Sequence, residues 1–109
     1  MDGNWTKAEF KAYLLAYCAA SDYIETDEQK DFIHNLVSDE TYKNVHRELA
    51  HDNDYQSIQK IQSNLEKFNY SKNDVEILLN DVKNLFLADG QIDVLEENMF
   101  RALKKILLL

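Results

Sequence analysis

The chain has 109 residues, 45% of them hydrophobic, with six Tyr, five Phe and one Trp. That is enough apolar mass for one packed domain and excludes a disordered chain, while the lack of proline and the presence of only two glycines argue against a hairpin-rich β fold. The net charge of −8, from 20 acids against 12 bases, argues against nucleic acid as a partner, because phosphate contacts need clustered Lys and Arg; it leaves cations or a basic protein.

The first helix is expected to start at Thr6, where Thr6-x-x-Glu9 has the spacing of a capping box that satisfies free N–H groups. Phe10, Tyr13, Leu14, Tyr17 and Cys18 follow at helical spacing as one apolar stripe, and the helix should end near Ser21. A second helix starts at Thr26 with Gln29 in the box position and carries Phe32, Ile33, Leu36 and Val37. A third follows Ser38 or Asp39, with Tyr42, Val45, His46 and Leu49 on its stripe. The run Ala50-His51-Asp52-Asn53-Asp54 breaks the chain, and a fourth helix then carries Tyr55, Ile58, Ile61, Leu65 and Phe68. Ser71-x-x-Asp74 opens a fifth, with Val75, Leu78, Leu79, Val82, Leu85 and Phe86, which should stop at Gly90. Asp93 caps the sixth, Glu96 takes its box position, and Leu95, Met99, Phe100, Leu103, Ile106 and Leu107 form its apolar face. The expected fold is all-α, with about six helices in a single domain over residues 1–109.

The segment Asp89-Gly90-Gln91-Ile92-Asp93-Val94-Leu95-Glu96 has a weaker copy upstream. At a shift of 68, Ala20, Ile24, Glu28 and Phe32 fall on Ala88, Ile92, Glu96 and Phe100. Each copy ends one apolar segment, makes a short acidic turn around an isoleucine and starts another. This predicts two pseudo-repeated helical hairpins around one core, residues 12–37 matching 80–105, with Ile24 and Ile92 beneath their turns.

The pattern Ala88-Asp89-Gly90-x-Ile92-x-x-x-Glu96 between two apolar helices resembles the TerB-like family of tellurite-resistance and stress-response proteins. The resemblance covers nearly the whole chain, though its specific part is short. It implies a small helical domain of two pseudo-symmetric halves, non-enzymatic, linked to metal ions and acting through protein partners. The first motif departs from the pattern, with Ser21 at the acid position and Asp22 at that of the glycine. Carried onto this sequence, the resemblance points to Asp89, Asp93 and Glu96, and less directly to Asp22, Glu25 and Glu28, as ligands of a weakly bound divalent cation, Ca²⁺ or Mg²⁺. Several carboxylates close together suit such hard cations. The same residues also serve as helix caps with no metal at all, since acids in a first turn are stabilised by free N–H groups and the helix dipole. In that case the protein is an adaptor whose acidic turns are structural and whose partner is a protein.

A standard calcium loop does not fit, because Leu85 and Leu87 would occupy its first two ligand positions. Nor does catalytic chemistry emerge. His34, His46 and His51 lack metal-ligand spacing, and Cys18 lies on an apolar stripe, where an inert core thiol is the ordinary reading. No nucleophile–base pair or phosphate-binding loop is present, so an enzyme is not expected. Trp5, just before the first cap, reads as a hydrophobic staple or a partner anchor. The longest apolar run, Ile106-Leu107-Leu108-Leu109, is too short to span a bilayer and suggests self-association through the last helix. With one cysteine and no signal sequence at Met1-Asp2-Gly3-Asn4, a cytoplasmic protein is expected.

Overall fold

The computed structural model describes residues 5–20, 26–89 and 94–107, the side chains of Asp89, Val94 and Leu95 excepted. It is all-α, with no strand among the described residues: α1 (Lys7–Ala19), α2 (Asp27–His34), α3 (Asp39–His51), α4 (Asp54–Lys67), α5 (Lys72–Phe86) and α6 (Val94–Leu107). A 3₁₀ turn, Leu87–Asp89, follows α5.

Side-chain caps set where the helices begin. Thr6, Thr26, Asn53 and Ser71 each accept a backbone N–H three residues on, and the residue there returns a bond to the cap, closing a full capping box. Ser38 caps α3 through the Thr41 N–H. Each bond removes one of the donors that a helix start leaves unpaired. At the end of α4 the chain reverses at Asn69, with φ 52°. The Tyr70 N–H reaches the Leu65 carbonyl at 3.0 Å and the Asn69 N–H reaches Glu66 at 3.1 Å. This is a Schellman motif with asparagine in the left-handed position, which it tolerates better than most residues.

The core is organised around α1, which packs on α2, α3, α4 and α5. Ala12, Tyr13, Leu14, Leu15 and Ala16 are all buried in succession, so α1 is covered on every side. The expected single stripe was therefore too narrow. Small residues on its remaining faces, Ala12, Ala16 and Ala19, let neighbouring helices come close without apolar bulk to mark the contact. The other helices bury only one side. In α5 this is Val75, Leu78, Leu79, Val82, Leu85 and Phe86, as the periodicity predicts, and α6 rests chiefly on α5 through Leu103 and Leu107. Two predicted stripe residues turn outward instead: Tyr55 is 68% and Leu36 42% exposed. Each lies at the extreme of its helix face, in the first turn of α4 or just beyond α2, where no neighbouring helix reaches over it.

Around the turns, the helix ends of the two outer hairpins lie 67 residues apart, close to the 68-residue shift of the sequence match, while the starts of α1 and α5 lie 65 apart. Ala19 and Phe86 end α1 and α5, and Asp27 and Val94 begin α2 and α6. Gln29, which meets Glu96 in the core, is the neighbour of Glu28, the residue that the sequence match sets against Glu96. Ile24 and Ile92 lie outside the described residues. Helix α5 also ends before the predicted stop at Gly90, the chain tightening into the 3₁₀ turn from Leu87, a common way for a helix end to satisfy its last carbonyls.

Candidate functional site

Helices α2 and α6 bring the third residue of each helix together in the core. Gln29 is the third residue of α2; its side-chain oxygen accepts the Thr26 N–H at 3.2 Å. Its amide nitrogen then donates to Glu96 Oε2 at 2.8 Å. Gln29 is 0% and Glu96 2% exposed. One cap residue therefore also bridges the two hairpins, and the buried carboxylate of Glu96 is held by an amide from the other half of the molecule.

Glu28, one residue before Gln29, is exposed. A step of one residue turns a side chain about 100° around the helix axis, which carries Glu28 away from Glu96. Asp22, Glu25 and Asp93 lie outside the described residues, as does the side chain of Asp89. Among the described residues no group of three or more His, Cys, Asp or Glu side chains has the placement to hold a metal ion.

A second polar cluster joins α1, α3 and α4, and its partners are too far apart in sequence for local spacing to reveal it. The Tyr13 hydroxyl donates to Asp52 Oδ2 at 2.6 Å, and its oxygen lies 2.9 Å from Ser57 Oγ, whose proton is free to point at it. Lys60 Nζ donates to Asp52 at 2.8 Å and to Glu48 Oε1 at 2.9 Å. Burial favours a neutral Asp52, but the bonds from Lys60 and Tyr13 outweigh it and hold the carboxyl below the usual range. Burial likewise acts against the Lys60 charge, and its bonds to Asp52 and Glu48 reverse the balance and raise its pKa. Nearby, the Tyr17 hydroxyl donates to Asp54 Oδ1.

The signal that could have found this cluster was Tyr13 itself, a hydroxyl-bearing ring in the middle of an otherwise apolar run, which needs a partner when buried. Lys60→Ala is expected to cost about 2–3 kcal/mol. The value falls a little below that for breaking a fully buried pair because some solvent reaches the site. Chemical denaturation of Lys60→Met against Lys60→Met/Asp52→Asn checks the cause: the second change should recover part of the loss, and further destabilisation would refute the charge account.

The remaining candidates resolve as packing. Cys18 is buried, and burial pushes its thiol pKa far up, which removes the thiolate needed for nucleophilic chemistry. Trp5 is 2% exposed and lies against the Tyr13 ring, centroids 4.6 Å apart. His34 and His46 stand on either side of Tyr42, at 3.8 and 4.1 Å, and His34 Nδ1 is 3.0 Å from Asp39.

Two of the surface depressions bear on the site. One, about 540 Å³, runs along a polar face of α4 past Gln56, Lys60 and Lys67. The other, about 700 Å³, separates α4 from α6; Leu49, Ile58, Met99 and Ile106 line it, with Asp52 and Asp54 at its margin. No helix among the described residues is long and apolar enough to cross a membrane.

No family model matches this chain, and neither a curated protein nor a solved structure matches it.

Proposed function

We propose that this chain is a non-enzymatic protein-interaction domain, with acidic turns that cap helices and lock its two hairpins together. The observation that carries this reading is the buried Gln29–Glu96 bond. Glu96, the last acid of the stronger motif, is engaged by the opposite hairpin and faces protein instead of solvent. A stress-response role rests on the resemblance of the Ala88–Glu96 pattern to TerB-like domains alone. The composition supports a cytoplasmic setting.

The second reading, a divalent cation at Asp89, Asp93 and Glu96, is favoured by the crowding of three acids into eight residues. It requires the Glu96 carboxylate to serve a metal as well as Gln29. Melting the wild type, Glu96→Gln and Glu96→Ala, each with chelator and with millimolar Ca²⁺ or Mg²⁺, separates the two. The cap reading predicts no stabilisation by either ion. Glu96→Ala should cost about 1–3 kcal/mol, since it strips the Gln29 amide of its buried acceptor. Glu96→Gln, which keeps an acceptor, should cost under about 1 kcal/mol. A rise in Tm with Ca²⁺ or Mg²⁺ that Glu96→Gln abolishes would overturn the cap reading.

A further inference from the structure

Helix α6 packs on α5 but stands apart from α4, and the groove between them holds about 700 Å³. Ile58, Met99 and Ile106 along it are only half-buried, and Ala102 is exposed. Met99, Ala102 and Ile106 follow at spacings of three and four, so one stripe of α6 faces the groove while Leu103 and Leu107 serve the core. The stripe is therefore apolar surface beyond what the core uses. Ala102 at its centre leaves room for a close approach.

Charge defines what fits there. The groove is lined by Asp52 and Asp54 and by no basic side chain. Asp52 shares its charge with Lys60, but Lys60 also serves Glu48, so these three side chains keep a formal excess of one negative charge. Asp54 is exposed, and its partner Tyr17 is an uncharged donor. A second copy of a chain carrying −8 would meet like charge, whereas a cationic segment meets opposite charge. With no strand among the described residues, there is no sheet edge for an extended peptide to join. That leaves a helix whose apolar anchors enter the groove.

We propose that the groove between α4 and α6 docks a cationic amphipathic helix, its apolar face seated among Ile58, Met99 and Ile106 and a Lys or Arg side chain meeting the exposed Asp54. This assignment rests on the reading of the chain as an interaction domain and gives that reading its surface and the chemistry of its partner. The groove volume suits several side chains and not a whole helix, so the partner's outer face stays in solvent.

The test uses a synthetic Leu/Lys amphipathic peptide of about four helical turns and its Leu/Glu counterpart, titrated against the full chain. Three variants accompany the wild type: Ala102→Arg, which fills the groove with a like charge; Asp54→Asn; and Ile77→Arg, on an exposed position of α5 away from the groove. The Leu/Lys peptide should bind and the Leu/Glu peptide should not, with affinity falling as salt rises. Ala102→Arg should weaken binding by about tenfold or more and Asp54→Asn by a few fold, on the scale of a central and a peripheral contact. Ile77→Arg should leave it unchanged. Circular dichroism of each variant separates lost binding from lost fold.

Equal binding to Ala102→Arg overturns the groove assignment. Loss in Ile77→Arg alone overturns it too while leaving an interaction domain intact. No binding of the Leu/Lys peptide to the wild type at millimolar concentration also overturns it. A concentration-dependent dimer that Ala102→Arg dissociates would assign the groove to a second copy instead. Failure of the wider reading shows itself separately, as cation-dependent melting that follows Glu96.

Discussion

Phe10→Ala is expected to lower stability by about 3–5 kcal/mol, the largest effect of any single truncation proposed for this domain. Phe10 is 0% exposed and lies where the start of α1 meets the turn after α4. Its ring stacks on Phe68 with centroids 6.3 Å apart and takes the edge of Tyr70 at 5.7 Å. Truncation removes the buried ring and leaves a void between groups fixed by the Schellman turn, which has little freedom to collapse inward. A small domain has only about 5–15 kcal/mol in hand, so Tm should fall by roughly 12–20 °C, taking about 4 °C per kcal/mol for a chain of this size. Ile77→Ala, at a position 57% exposed, is the matched surface control and should stay within about 0.5 kcal/mol. Measured stability of Phe10→Ala within about 1 kcal/mol of wild type would show that the site repacks, contrary to this account.

Alkali should unfold the domain well before it ionises its buried hydroxyls. Burial, followed by the bonds to Asp52 and Asp54, pushes the Tyr13 and Tyr17 phenols far above their ordinary value of 10. Burial alone does the same to the Cys18 thiol, from 9. All three hold their protons more tightly folded than unfolded. Their stabilisation is therefore complete below pH 9 and is lost as pH rises, because the unfolded chain releases protons that the folded one keeps. Each group contributes a loss of about 1.4 kcal/mol per pH unit above its unfolded value. Lys60, also raised, adds to the loss above its ordinary 10.5. Between pH 8 and 11 stability should drop by at least about 3 kcal/mol. Denaturation curves across that range check it: Cys18→Ala should flatten the first part of the decline and Tyr17→Phe the part above pH 10. A Tm that holds level to pH 11 would refute the coupling.

Helix starts were readable from the sequence because the forces that set them are local. Thr6-x-x-Glu9, Thr26-x-x-Gln29 and Ser71-x-x-Asp74 act within one turn, and all three close as capping boxes. The break at Ala50–Asp54 resolved into a fourth cap at Asn53 for the same reason. What the sequence concealed depends on neighbours far along the chain. The stripe on α1 marked its largest side chains but not that its alanines are buried too, since alanine carries little hydropathy signal and is compatible with either environment. The Tyr13–Asp52–Lys60 cluster spans separations of 39 and 8 residues, which no motif links.

The candidate site was found in part. The sequence points to Glu96, and the structure adds Gln29, the neighbour of its sequence match Glu28, as the residue that Glu96 meets. Gln29 fills the box position of α2 and also donates to Glu96. The match of glutamate with glutamate concerns corresponding positions, and the bond between Gln29 and Glu96 is a contact across the core that no identity marks.

The enclosure of α1 also governs the order in which this chain can be made. Among the described helices it comes first in the chain, and it is covered by α3 and, further along, by α5, which is complete only at Phe86. Until then Leu14, Leu15 and Cys18 have no finished interior to enter, and the nascent chain carries its most apolar helix uncovered. The domain thus cannot acquire its stability stepwise as it is translated. Its interior closes only when helices from both ends of the domain have met.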